Sequence, residues 1–500
     1  MTLNDVLRGL DRSGVGLTLL SGPPFFVSYE ELGARIRGNA NHLRALGIAK
    51  GDRVAIALET KLEHVVVFLA LVAIGAIPVS IKPRRGSVEE HTRYVEKLVR
   101  RYGVRFLHHD LPQPRSSETR EHASPSPRSF AWDPDARSDD RSAIAEVDPE
   151  DIAFVQFSSG SLGDPKAIPI RHASLIANIE AILEVDRRDA DTIGYTFLPL
   201  SHDMGLVGGL LSNLFYENPL YLSPVQEFIK RPTDFFSRFD SMPRVVCPMP
   251  DFALRYLVRF IEARKERVDR RLLRCLETVY CGAEPIRRST IEKLLAIAPH
   301  VSFDPRALVF SYGMAESTLM TTAHRFESLA RSFHKGHANV GAPIKNHEID
   351  VRAGGAIFVR GASVFRGYLD EAPLGDGWHD TGDIGFSANG ALHISGRAKD
   401  MVIVNGENLF PTDIEELAAR IPGVGESLAM ADDDRFYLYV VTKDGKRPDE
   451  SAIAARIGAE LGAVPAAIAF GPKGNIVRTT SGKPIRRATL VDLRRRGALP

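Results

Sequence analysis

The tightest constraint on this 500-residue chain is a strand–helix–strand alternation between residues 52 and 81. Residues 52–58 (DRVAIAL) read as a buried strand, 64–74 (HVVVFLALVAI) as a helix and 77–81 as a second strand. Such alternation calls for an α/β architecture built from layers around a largely parallel sheet. Just before it, Leu32, Ile36, Ala40, Leu43 and Leu46 recur at helical spacing over residues 29–46. Order resumes at 152 with the strand pattern IAFVQF. Helices are expected at 174–183, 250–263 and 290–298, and short strands at 349–351, 357–359 and 391–394. A second α/β unit begins near Arg397, with strands at 401–404 and 436–442 and helices at 411–420 and 450–461. A length of 500 residues exceeds one ordinary domain, so a large unit (1–396) and a small one (397–500) are expected. Residues 111–148 are rich in Pro, Ser, Arg and Asp. They read as a long loop outside the core.

Charge excludes some partners. Sixty-four basic residues against 63 acidic ones leave no net field for nucleic acid or an anionic membrane. The longest apolar stretch, near 65–80, is interrupted by Gly75 and Pro78 and falls short of a membrane span. The three cysteines, Cys247, Cys275 and Cys281, match no zinc spacing and no complete disulfide framework. With no signal-peptide core in residues 1–13, a cytoplasmic protein is expected.

One glycine-rich segment suggests phosphate binding. Residues 157–169 read FSSGSLGDPKAIP and follow a strand pattern. Ser158, Ser159 and Ser161 offer hydroxyls. Gly160 and Gly163 allow close backbone approach, and Lys166 adds charge. The segment is not a Walker loop, and glycine–serine clusters are more often plain surface turns. Four later motifs change that balance: SYGMAEST (311–318), TGDIG (381–385), GRAKD (396–400) and TSGKPIRR (480–487).

Five motifs in this order resemble the adenylate-forming superfamily of acyl-CoA synthetases, peptide-synthetase adenylation domains and luciferases. The resemblance implies that ATP and Mg²⁺ activate a carboxylic acid as an acyl-adenylate. Ser158 to Lys166 would then close over the β- and γ-phosphates. Leu162 stands where the family usually has Thr, which removes one hydroxyl contact worth about 0.5–1.5 kcal/mol. Glu316 lies at the family's magnesium position, and Tyr312 and Gly313 beside the adenine. Gly282, Ala283 and Glu284 match the segment on the other adenine face. Asp383 and Arg397 match ribose-binding positions. Lys483 matches a catalytic lysine that a mobile small domain carries in, and Lys399 and Asp400 match the hinge.

FLPLSHDMGL (197–206), AEPI (283–286) and PDFAL (250–254) look most like fatty acyl-AMP ligases. That branch passes its acyl group to the phosphopantetheine of an acyl carrier protein, not to free CoA. His202 would gate the acid pocket, with Met204, Gly205 and Asp251 near it. Asp251 has two readings: a ligand for a substrate amino group, or the N-cap of a helix that starts at Pro250. The cap is the simpler one. Four functions stay open: a carrier-protein ligase, a CoA synthetase, an amino-acid adenylating enzyme, and a silent nucleotide-binding relative.

Overall fold

The computed structural model describes residues 1–81, 87–112, 127–157, 166–186, 188–239, 244–404, 407–432, 435–443, 445–478 and 484–500. Strands Arg53–Ala57 and Ile77–Ile81 pair in parallel, joined by the helix Leu62–Ala73. They are central in a six-stranded sheet. Its spatial order is Arg128–Phe130, Phe106–His108, Arg53–Ala57, Ile77–Ile81, Ile152–Phe157 and Ala167–Arg171. Only the last pair is antiparallel.

Side-chain alternation covers both faces of this sheet. Val54 and Ile56 face a core shared with the helices Tyr29–Ala45 and Leu62–Ala73. Ala55 and Ala57 face the other way, with Val79, Ile81 and Val155, onto Val95, Leu98 and Val99 of the helix Val88–Arg101. Leu62–Ala73 is apolar nearly all round because it is buried all round.

The same core continues into a second, larger sheet. Strands Ile193–Thr196, Leu220–Leu222, Val245–Pro248, Leu276–Cys281 and Leu308–Gly313 form its parallel half. From Leu308–Gly313 onward the pairing turns antiparallel, through Met320–Arg325, His337–Pro343, Ala391–Arg397 and His379–Ala388. That change of direction brings several motifs to one place.

The residues from Val402 pack separately. Strands Val424–Asp432, Arg435–Thr442 and Ala467–Gly471 form a three-stranded sheet. Ala429, Leu438 and Val440 meet the helices Pro411–Ala418 and Glu450–Leu461; Leu428, Met430 and Tyr439 meet Arg486–Arg495 on the opposite face. Two of these strands and the last helix have no counterpart in the sequence expectations. Glu415, buried in this unit, takes Nη2 of Arg287 from the large unit at 2.9 Å and also pairs with Arg486.

Residues 111–148 depart from expectation. Strand Arg128–Phe130 extends the six-stranded sheet in parallel with Phe106–His108, and Phe130, Ala143 and Ile144 are core residues. The segment is thus partly structural. Its apolar residues are too few to show a period, and its strand is held by the neighbour it pairs with. Residues 113–126 lie outside the described residues.

Candidate active site

Glu316 sits in a tight connection. Strand Leu308–Gly313 ends, Ala315–Ser317 makes one 3₁₀ turn, and Met320–Arg325 returns antiparallel. Gly313 is required here, since a Cβ on it would lie 1.8 Å from the Leu319 carbonyl oxygen. Thr318 takes φ +68°, an unfavourable conformation for a β-branched residue. Its neighbours hold it there. Thr318 Oγ1 donates to the Ser363 carbonyl at 2.8 Å, and Ser363 Oγ donates to the Ser317 carbonyl at 3.0 Å. Asn178 donates to the Met320 carbonyl at 2.8 Å and accepts from the Met320 amide at 3.1 Å. Strain over-determined in this way is common where a side chain must be aimed.

The Glu316 carboxylate accepts from the Tyr368 hydroxyl at 3.1 Å. Burial pushes this carboxyl above its usual range, while the Tyr368 hydrogen bond and the Arg397 charge pull the other way. The Lys166 ammonium lies 4.2 Å from the centre of the Tyr368 ring. Tyr368 therefore touches both Glu316 and Lys166, and it was absent from the sequence expectations. It stands in a non-periodic stretch between strands, where only its aromatic character hints at a role.

Asp383 and Arg397 face each other across the antiparallel pair His379–Ala388 and Ala391–Arg397. Arg397 Nε lies 2.7 Å from one Asp383 oxygen, and the Tyr312 hydroxyl donates to the other at 2.7 Å. The Asp383 amide donates to Thr381 Oγ1 at 3.1 Å. Burial first, and the Asp383 charge second, hold the Tyr312 phenol well above its ordinary range, so it remains a donor. Motifs some 70 residues apart thus meet at one carboxylate.

Next to Tyr312 and Gly313 a largely apolar cleft runs inward, lined by Ile182, Met204, Gly208, Tyr280, Leu319 and Met320. Asp203 and Ser311 add polar side chains to its lining, and Ala283 also borders it. His202 Nδ1 is 2.9 Å from Asp203 Oδ1, and the imidazole is partly exposed. Gly205 lies under this turn, where a Cβ would meet the Pro199 carbonyl oxygen at 2.3 Å. Gly282 approaches Ser311 closely, and Ala283 adopts φ +63°.

The expected cap role of Asp251 is corrected by the structure. The Asp251 side chain makes no cap hydrogen bond to its helix, Asp251–Glu262. It is buried and accepts the Arg287 amide at 3.1 Å, bracing a separate segment. The helix end is served by Glu284, whose Oε1 accepts the Phe252 amide at 2.6 Å. Lys399 and Asp400 form the exposed 3₁₀ turn Ala398–Asp400 that leads out of the large sheet. Ser158, Ser159, Gly160, Ser161, Gly163, Leu162 and Lys483 lie outside the described residues.

The donors present fit a magnesium nucleotide. A carboxylate has about four lone-pair sites, so one such group can accept ribose hydroxyls as well as the Tyr312 and Arg397 donors. Glu316 is a partly buried carboxylate that burial disfavours in the charged form, and a hard cation beside it would reverse that.

The family model described as AMP-binding enzyme matches residues 16–369. A Caulobacter vibrioides protein named provisionally as an acyl-CoA synthetase is 28% identical over 474 residues, covering 84% of this chain and 82% of its own. The medium-chain-fatty-acid acyl-carrier-protein ligase TtuA of Teredinibacter turnerae is 27% identical over 405 residues, covering 68% of this chain and 63% of its own. A solved structure from work on the fatty acyl-adenylate ligases of E. coli and L. pneumophila superposes with a TM-score of 0.80 at 25% identity. It covers 100% of this chain and 99% of that one. No helix among the described residues is long and apolar enough to cross a membrane. The chain belongs to the AMP-binding enzyme family of adenylate-forming ligases, and fatty acyl-AMP ligases are among the proteins it resembles.

Proposed function

We propose that this chain activates a fatty acid as its acyl-adenylate and hands the acyl group to the phosphopantetheine thiol of an acyl carrier protein. In the first step an acid carboxylate oxygen bonds to the α-phosphorus of ATP, and the bond to the β-phosphate oxygen breaks, releasing pyrophosphate. In the second, the thiol sulfur attacks the acyl carbon and AMP leaves. The observation that carries this reading is the apolar cleft opening beside Tyr312, whose hydroxyl is bonded to Asp383. An alkyl chain lodged there would put its carboxylate next to a nucleotide held by Asp383 and Arg397.

Each residue has a role in this reading. Asp383 and Arg397 hold the ribose, while Tyr312, Gly313 and the Gly282–Ala283–Glu284 stretch border the adenine. Lys166 and the 158–163 segment meet the phosphates. Glu316 is the ligand for Mg²⁺, which would offset charge on the phosphate oxygens. His202, oriented by Asp203, gates the acid cleft, which Asp203 and Met204 line, and Gly205 follows them in the chain. The Ala398–Asp400 turn is the hinge between units 1–396 and 397–500. Likeness to TtuA supports the carrier-protein acceptor, whereas likeness to the Caulobacter protein favours free CoA as a second reading. Asp251 gives little support to an amino-acid substrate, because its carboxylate is engaged by the Arg287 amide.

The test is mass spectrometry of the purified chain with ATP, Mg²⁺ and a panel of fatty, aromatic, hydroxy and amino acids. A fatty acyl-AMP that disappears on adding a holo carrier protein, but persists with CoA, is the expected result. Consumption by CoA alone would move the chain to the second reading, and no adduct from any acid would overturn the proposal. Glu316→Gln keeps shape and removes charge. It should raise the Mg²⁺ concentration for half-maximal activity about 10-fold or more, since a bond to a charged group contributes about 1.5–3 kcal/mol. An unchanged Mg²⁺ titration would remove Glu316 from the metal.

A further inference from the structure

Outside the active site, four titratable side chains converge at the carboxyl end of strand Phe106–His108. His108, His109 and Asp110 follow one another there, and Glu63 comes from the first turn of the helix Leu62–Ala73. The two segments meet because the six-stranded sheet sets this strand beside Arg53–Ala57, whose chain leads into that helix. The cluster is not part of the nucleotide site. His108 is three strands from Ile152–Phe157, which leads into the phosphate segment, a separation of roughly 14 Å at ordinary strand spacing.

His108 is the informative residue. Its side chain is fully buried, yet neither ring nitrogen has a hydrogen-bond partner among the described residues. Glu63 Oε1 is also buried and unpartnered. An orphaned polar group in a core is costly and rare, so two facing each other need a cause. They lie 3.1 Å apart without hydrogen-bond alignment. His109 Nε2 is 3.6 Å from the same Glu63 oxygen and 3.3 Å from Asp110 Oδ1.

These separations match a coordination shell. Ligands about 2.0–2.1 Å from a tetrahedral zinc ion are about 3.3 Å from one another. The Glu63, His108 and His109 donor atoms all lie within 4.8 Å of each other. Mixed imidazole and carboxylate donors suit zinc and its neighbours better than Mg²⁺ or Ca²⁺, which prefer oxygen alone.

His64 belongs beside this shell and not in it. Its Nδ1 accepts the Glu59 amide at 3.0 Å, so its Nε2 carries the proton and donates to Asp110 Oδ2 at 2.9 Å. Lys61 reaches the same oxygen at 3.4 Å. Both orient Asp110 and leave its Oδ1 3.3 Å from His109 Nε2, so a fixed carboxylate stands beside the three donors.

We propose that Glu63, His108 and His109 form a three-ligand zinc-binding site, its fourth position left to water, that ties strand Phe106–His108 to the helix Leu62–Ala73.

The test uses the full chain, stripped with chelator and then dialysed against limiting Zn²⁺ or Co²⁺. Metal content and the visible spectrum of the cobalt form are the readouts. One equivalent of tightly held zinc is expected, with intense cobalt bands typical of four-coordination. Glu63→Gln and His109→Ala avoid the buried ring and should keep the fold by circular dichroism. Each should weaken zinc binding about 10-fold or more, the scale seen even for outer-shell losses. His108→Gln should abolish it, with the two milder variants deciding the matter if this one fails to fold. Absence of stoichiometric zinc in the wild-type chain would overturn the proposal. So would zinc affinity unchanged in both milder variants, which would put the ion elsewhere, for example at Glu316.

Discussion

Lys483→Ala should lower acyl-adenylate formation about 100- to 1000-fold at saturating ATP and acid, the loss seen when one preorganised donor to a developing negative charge is removed. The expectation follows from charge balance. An anionic carboxylate must approach an anionic phosphate, and the described cations near them are already engaged. Arg397 is ion-paired with Asp383, which neutralises much of its charge, and Lys166 rests on the Tyr368 ring. A further cation at the reacting oxygens is needed, and in the proposed reading Lys483 of the TSGK motif would supply it. A group that meets those oxygens only during reaction lowers the barrier without tightening ground-state binding. The loss should therefore fall on kcat, with KM for ATP changed little. Lys483→Arg keeps the charge but changes its shape, and should recover only part of the rate. Pyrophosphate release measured against ATP concentration separates these effects. A Lys483→Ala variant within a few-fold of the wild-type kcat would end the assignment.

The parts of this candidate site that the sequence pointed to are those its motifs marked by resemblance to a family. TGDIG and GRAKD become paired strands that put Asp383 opposite Arg397, and SYGMAEST becomes a strand, a turn and a returning strand that aim Glu316. The strand–helix–strand of residues 52–81 was legible because burial on both sides forces continuous apolar runs. What stayed hidden depends on contacts between distant segments. Tyr368 is defined by Glu316 and Lys166, and nothing periodic marks it. Capping preference found a carboxylate at the start of Asp251–Glu262 but could not say whose. Glu284, 32 residues away, serves that helix end, while Asp251 braces Arg287, 36 residues away. Strand Arg128–Phe130 was missed for a related reason. One buried aromatic gives no pattern, and the pairing partner that makes it a strand lies outside the segment.

Asp383→Ala should reduce kcat/KM for ATP by about 100-fold or more, and should also lower the melting temperature. The two effects have separate causes. Hydrogen bonds to a charged group contribute about 1.5–3 kcal/mol each, so two ribose hydroxyls on one carboxylate account for at least two orders of magnitude in affinity. The stability loss comes from the free protein. Without the carboxylate, the partly buried Tyr312 hydroxyl has lost its acceptor and Arg397 has lost its ion pair. Losing one partner of a fully buried pair costs about 3–5 kcal/mol. Arg397 is half exposed and can rehydrate, so the loss here should fall well below that range. Asp383→Asn retains the shape and one acceptor oxygen, and should lie between wild type and Ala on both scales. Tyr312→Phe provides the contrast. It removes one hydrogen bond from Asp383 and leaves the carboxylate free to accept ribose hydroxyls, so it should lower stability more than ATP affinity. Calorimetric ATP titration of each folded variant, beside its thermal melt, keeps the two terms apart. If Asp383→Ala bound ATP as tightly as wild type while melting lower, Asp383 would be a brace for Arg397 and Tyr312, and the nucleotide would have to be held by other groups.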